Sequence, residues 1–192
     1  MIKLTRKHCP NPTALVADYK NKENKTALKE SSFDKCIYCE SKISHIEYGD
    51  VEHIKPKGKY PQLKFTWTNL GFACEICNRK YKHEKYDEAT PYINPFDEDP
   101  SEHIIANGAF LFQNQGSERG ELTIIDIGLN RSGLIEKRQE RINDINNTIK
   151  ACFRTQNPTL RQNALDALKV EANSDKEYSF TVKALLNNQG IV

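Results

Sequence analysis

The chain has 192 residues, 38% of them hydrophobic and 28% charged, with 28 Lys and Arg against 26 Asp and Glu. That length suits one domain, or one core with a small appendage, and that composition suits a soluble globule. No apolar run approaches the roughly 18 to 20 residues of a bilayer-spanning helix, and Met1 to His8 is too polar for a signal-peptide core; the expectation is a cytoplasmic protein. The charge is unevenly placed. Residues 1–86 carry a net +7 and residues 87–192 a net −5, an asymmetry that points to a polyanionic partner for the basic part.

In chain order, residues 11–30 read as a helix capped by Asn11 or Thr13. Ser31-Ser32 leads into a first Cys-x-x-Cys turn, Cys36 to Cys39. Residues 43–54 read as a short hairpin around Gly49-Asp50, and Pro56, Gly58 and Pro61 make 55–62 a loop. A second Cys-x-x-Cys turn, Cys74 to Cys77, opens a short basic helix running to Lys85. Residues 87–103 are an irregular connector. Asn107-Gly108 centres a hairpin over 104–112, and Leu122 to Ile127 reads as a strand. Residues 132–153 form the clearest helix, with Ile135, Ile142 and Ile149 in step. This stripe reads as core, with a dimer or partner seam as the alternative. Helices from Pro158 to about Ala172 and from Lys176 to about Leu186 close the chain.

Four of the six cysteines sit in the two Cys-x-x-Cys turns. Such a turn sets two thiolates about one tetrahedral edge apart, so the pairs predict a Cys₄ zinc site of Cys36, Cys39, Cys74 and Cys77. A thioredoxin-like redox motif needs only one pair, and a disulfide framework belongs to small secreted chains. Between the pairs stand Glu52-His53 and Asn69, and Asn78 follows directly. The Glu52 carboxylate and the Asn78 amide oxygen are hard donors suited to Mg²⁺, and His53 is a candidate general base. Taken singly, His53 is a surface histidine and Asn69 a turn former; the constellation gives them a task.

Glu52-His53-Ile54-x-Pro56, then Asn69-Leu70, then Cys74-x-x-Cys77-Asn78-x-Lys80, resembles the HNH endonuclease signature in an H-N-N variant. Cys-x-Tyr-Cys-Glu at 36–40, Asn94-Pro95-Phe96 and Gly128-Leu129-Asn130-Arg131 further resemble the HNH nucleases of retron and Septu-type bacterial antiphage systems. The elements in chain order read as an α+β fold with an N-terminal helix and a mixed hairpin and helical C-terminal part, and the resemblance implies a ββα-metal core bracketed by the cysteine site. The chain is expected to divide into 1–35 (N-terminal helical segment), 36–90 (zinc-stapled nuclease core), 91–130 (connector and hairpin) and 131–192 (helices for partner or dimer contacts). The resemblance also implies nucleic-acid hydrolysis with His53 activating water, Glu52 and Asn78 holding one Mg²⁺ or Mn²⁺, and products with a 5′ phosphate and 3′ hydroxyl. Asn69 would orient the loop supporting His53. Lys80 would contact the transition state or a phosphate, and Lys55, Lys57, Lys59, Arg79 and Lys82 would face nucleic acid. The zinc would be structural, and an ABC-type ATPase the partner. The competing reading is an inert zinc-ribbon nucleic-acid adaptor or a scaffold for that ATPase.

Overall fold

Two asparagines start helices near the N-terminus, where the sequence reads as one continuous helix. In the computed structural model, which describes residues 1–43 and 48–192, Asn11 caps α1 (Pro12–Ala17) by accepting from the Ala14 amide. Asn21 caps α2 (Lys22–Ser31) by accepting from the Glu23 and Asn24 amides. A capping side chain satisfies amides that the first turn leaves free, so the second asparagine restarts the helix after Asp18-Tyr19-Lys20. Fully buried Asn24 ties the pair together, accepting from the Asn11 amide at 3.0 Å and donating to the Asn11 carbonyl at 2.8 Å.

β1 (Asp50–His53) pairs antiparallel with β2 (Leu70–Ala73), setting Glu52 opposite Gly71 and His53 opposite Leu70. The partner of β1 lies beyond the proline-containing loop, not in the hairpin expected around Gly49-Asp50, whose first strand falls largely outside the described residues. Of the residues in that expectation, 44–47 lie outside those described. A π-helical segment, Ile76–Lys82, follows where a short basic helix was expected. Its wide winding shows in the His83 amide, which donates to the Asn78 carbonyl at 2.7 Å. Strand, strand and helix together form the ββα unit.

The second hairpin stands as read. β3 (Ile104–Asn107) and β4 (Phe110–Gln113) turn at Gly108, whose φ of +56° a residue without Cβ adopts freely. Residues 122–127 are corrected from strand to helix, α3 (Glu118–Asp126). The Ser117 hydroxyl accepts from the Gly120 amide at 3.1 Å, and buried Thr123, Ile124 and Ile127 follow helical spacing. The cap and that spacing override the β-branched run. α4 (Ser132–Arg154), α5 (Pro158–Val170) and α6 (Ser179–Asn188) complete the chain.

Two apolar clusters hold these elements. The larger unites Leu28, Tyr38, Phe72, Ile93, Leu111 and Ile127, spanning the N-terminal helices, the ββα unit, the second hairpin and α3. The smaller joins Ile145, Ile149 and Cys152 of α4 to Leu168 of α5 and to Val182 and Leu186 of α6. Of the isoleucine stripe, Ile142 and Ile149 are thus buried within this chain, and Ile135 is half-buried. Residues 176–180 close over the first cysteine turn. Lys35 donates to the Lys176 carbonyl at 2.7 Å, and Glu40 accepts from the Ser179 hydroxyl at 2.8 Å and the Phe180 amide at 3.2 Å. Among the described residues, no helix is long and apolar enough to cross a membrane.

Candidate active site

The two cysteine turns meet although they are far apart in sequence. The sulfur atoms of Cys36, Cys39, Cys74 and Cys77 all lie within 4.8 Å of one another, and all four residues are buried. Cys39 and Cys74 are 3.9 Å apart, close to the roughly 3.8 Å edge of a tetrahedron with 2.3 Å zinc–sulfur bonds. Burial pushes the Cys36 thiol up, whereas hydrogen bonds from the other three hold Cys39 down. Thiolates crowded together in such an enclosed group call for a cation to neutralise them. Arg131 donates to Cys77 Sγ at 3.3 Å, and the Cys77 amide donates to Cys74 Sγ at 3.4 Å. The cluster fits a tetrahedral thiophilic metal.

His53 ends β1, and its side chain is fixed on one side. Its Nε2 lies 2.9 Å from the Lys64 carbonyl, which in a neutral ring makes Nε2 the donor and leaves the lone pair on Nδ1. Burial pushes the imidazole pKa down; nearby Lys57 and Lys82 push the same way, against the Lys64 carbonyl and Glu84. Asn69 secures the loop that carries Lys64. Its Oδ1 accepts from the Lys55 amide at 2.8 Å, and its Nδ2 donates to the carbonyls of Lys55 at 3.0 Å and Leu63 at 3.3 Å. One side chain therefore clamps both ends of the loop.

Glu52 and Asp50 share a strand but not a setting. The Glu52 side chain is 2% exposed and the Lys82 side chain 1%, with Lys82 Nζ 2.7 Å from Glu52 Oε1. Tyr38 donates to the same carboxylate at 2.9 Å, and Lys82 also donates to the His53 carbonyl at 2.9 Å. Lys82, expected on the anion-facing surface, is corrected: it is an interior cation. Asp50 instead lines a cleft of about 330 Å³ with Tyr19, Lys57, Asn78, Arg79 and His83. Asn78 Nδ2 donates to Asp50 Oδ2 at 3.0 Å, and Arg79 pairs with the same carboxylate at 2.6 and 2.8 Å.

The structure thus brings Asn78 to Asp50 rather than to Glu52. Of the remaining expected residues, Lys55 pairs with Glu88 at 3.3 Å, Lys57 donates to the Tyr19 hydroxyl at 2.8 Å and Lys59 donates to the Tyr86 carbonyl at 3.2 Å. Lys80 is exposed on the π-helical segment. The sequence reading passed over Asp50 as half of a turn dipeptide. Its signal was strand alternation, which puts positions 50 and 52 on one face. Tyr19 carried no local signal.

A ββα unit with His53 at the strand end, Asn69 clamping the loop and Asn78 on the helix defines a nuclease domain of the HNH class, and the HNH endonuclease family model matches residues 36–84. The chain is 33% identical over 187 residues to the Septu protein PtuB of Bacillus thuringiensis, covering 88% of this chain and 70% of that protein. It is 31% identical over 157 residues to the Septu protein PtuB of Bacillus mycoides (strain KBAB4), covering 66% of this chain and 53% of that one. The chain belongs to the Septu PtuB family.

Proposed function

We propose that this protein is a metal-dependent endonuclease hydrolysing nucleic-acid phosphodiesters, with His53 as general base, acting as the effector of an antiphage system beside an ABC-type ATPase. The observation that carries this reading is the fixed imidazole. With Nε2 bound to the Lys64 carbonyl and the pKa pushed down by burial, the ring is neutral near pH 7 and accepts at Nδ1. Nδ1 takes a proton from a water molecule as the water oxygen bonds to phosphorus. The bond from phosphorus to the 3′ oxygen breaks, and that oxygen takes a proton from solvent, leaving a 5′ phosphate and a 3′ hydroxyl. Asn69 acts indirectly by holding the loop, and Arg79, Lys57 and Lys80 supply positive charge to the backbone phosphates.

Mg²⁺ or Mn²⁺ in the cleft would neutralise charge on the scissile phosphate and the departing oxygen. The donor set fits once exposed Arg79 moves off the Asp50 carboxylate: that carboxylate and the Asn78 amide are hard oxygen donors held side by side at the cleft wall. Glu52 fits less well, because a buried ammonium already sits on its carboxylate; it joins the set only if Lys82 releases it. The four thiols suit Zn²⁺ in a structural role, since they leave no open position for water. The C-terminal helices (131–192) supply partner contacts in this reading, supported by Phe153 and Leu160, 55% and 59% exposed.

The test is cleavage of plasmid DNA and total RNA with Mg²⁺ or Mn²⁺, with and without the ATPase, comparing wild type and His53→Ala. The expected outcome is metal-dependent cleavage that the variant loses while retaining its zinc content and melting temperature. Equal cleavage by both proteins would overturn the role of His53. Absence of cleavage with the partner present, alongside intact nucleic-acid binding, would favour the inert adaptor.

A further inference from the structure

Tyr19 sits in the turn between α1 and α2, where a tyrosine ordinarily lies against solvent. Here the turn is built to hold it. The Asn21 amide donates to the Asp18 carbonyl at 3.0 Å, and the Lys20 amide donates to Asp18 Oδ1 at 2.9 Å. The Asn21 cap and buried Asn24 fix the helices on either side. From that turn, the Tyr19 ring meets the His53 imidazole edge-on, with centroids 4.7 Å apart and planes at 73°. Its hydroxyl accepts from Lys57 Nζ at 2.8 Å, and the same ammonium lies 4.9 Å from the ring centroid. α2 also grips the chain just before β1, where Lys25 donates to the Gly49 carbonyl at 2.7 Å.

We propose that Tyr19, which lies outside the segment matched by the HNH family, is a positioning residue of the nuclease site: its ring holds the His53 imidazole and its hydroxyl holds the Lys57 ammonium at the cleft for a phosphate. This rests on the nuclease reading above. The Lys64 carbonyl anchors one nitrogen of the imidazole but leaves the ring free to tilt about that bond, and the Tyr19 edge removes that freedom. Lys57 is a long side chain on an exposed loop, so its hydrogen bond to Tyr19 places a charge that would otherwise sample many positions. The two functions divide between two parts of one side chain and can be separated.

Steady-state cleavage by Tyr19→Phe and Tyr19→Ala makes the separation. Tyr19→Phe keeps the ring and loses the hydroxyl, so KM rises about three- to tenfold with kcat nearly unchanged. Tyr19→Ala loses both, so kcat also falls about tenfold. In a Lys57→Met background, Tyr19→Phe has no further effect on KM; an independent, additive rise overturns the shared role. A kcat for Tyr19→Ala equal to that of wild type overturns the ring's role. A readout free of cleavage accompanies these: the His53 ring-proton NMR signals shift in Tyr19→Ala and stay in place in Tyr19→Phe. Signals unmoved in folded, zinc-loaded Tyr19→Ala sink this inference alone. Signals that respond as expected in a protein that cleaves nothing sink the nuclease reading and leave the contact standing.

Discussion

Two carboxylate–cation pairs join β1 to the π-helical segment, and they differ in almost everything except charge. At the far end of the strand, Glu52 and Lys82 are closed off, with side chains 2% and 1% exposed. At its start, Asp50 and Arg79 face the cleft, with side chains 16% and 60% exposed. A buried pair is fixed because removing either partner strands a charge in a low-dielectric interior, whereas an exposed arginine changes partners at little cost. One end of the interface is therefore built to stay and the other to exchange. In the function proposed above, substrate phosphate and a metal ion would meet the end that can rearrange.

The largest expected effect removes the framework that both pairs depend on. If the cysteine cluster holds the proposed zinc, its chelation, or Cys74→Ser, should unfold the region around the two cysteine turns, since metal-binding free energy in such a site is folding free energy. Circular dichroism with metal analysis checks this, and a variant that melts like wild type without metal would refute it. Next, Lys82→Met should destabilise the fold by about 3–5 kcal/mol by leaving Glu52 uncompensated. Adding Glu52→Gln should recover part of that loss in urea unfolding. No recovery would mean that the pair is not the fixed anchor described here. The smallest effect on stability, within about 1 kcal/mol, belongs to Asp50→Asn. That variant should nonetheless weaken Mn²⁺ binding in calorimetry by tenfold or more, beyond the effect of Glu52→Gln. The reverse order would return the metal to Glu52.

The contrast between the two ends also marks how far the sequence could be read. The cysteine turns, Glu52-His53, Asn69 and Asn78 were visible because their chemistry is written in short spacings, and the Asn107-Gly108 hairpin because two residues specify it. The pairing of β1 with β2 across a long loop was not visible, because local patterns give a strand's face but not its distant partner. The strand expected at 122–127 failed where β-branched propensity met a serine cap and helical burial. Lys82 reads as a surface lysine in the sequence because composition does not show which lysine a π-helical turn directs inward. Tyr19 matters only through a meeting with His53 that the fold arranges.

The π-helical winding of Ile76–Lys82 has a consequence of its own. Cys77 near its start is fixed in the cysteine cluster, and Lys82 at its end is buried, holding both Glu52 and the His53 carbonyl. The phase between these two anchors is set by a widened turn, which holds one residue more between them than α winding would. Exchanging exposed Lys80 for another helix former leaves both anchors in phase. Deleting one residue there would let the widened turn relax to α winding with Lys82 nearly in phase, whereas inserting one would rotate Lys82 away from Glu52 and the His53 carbonyl.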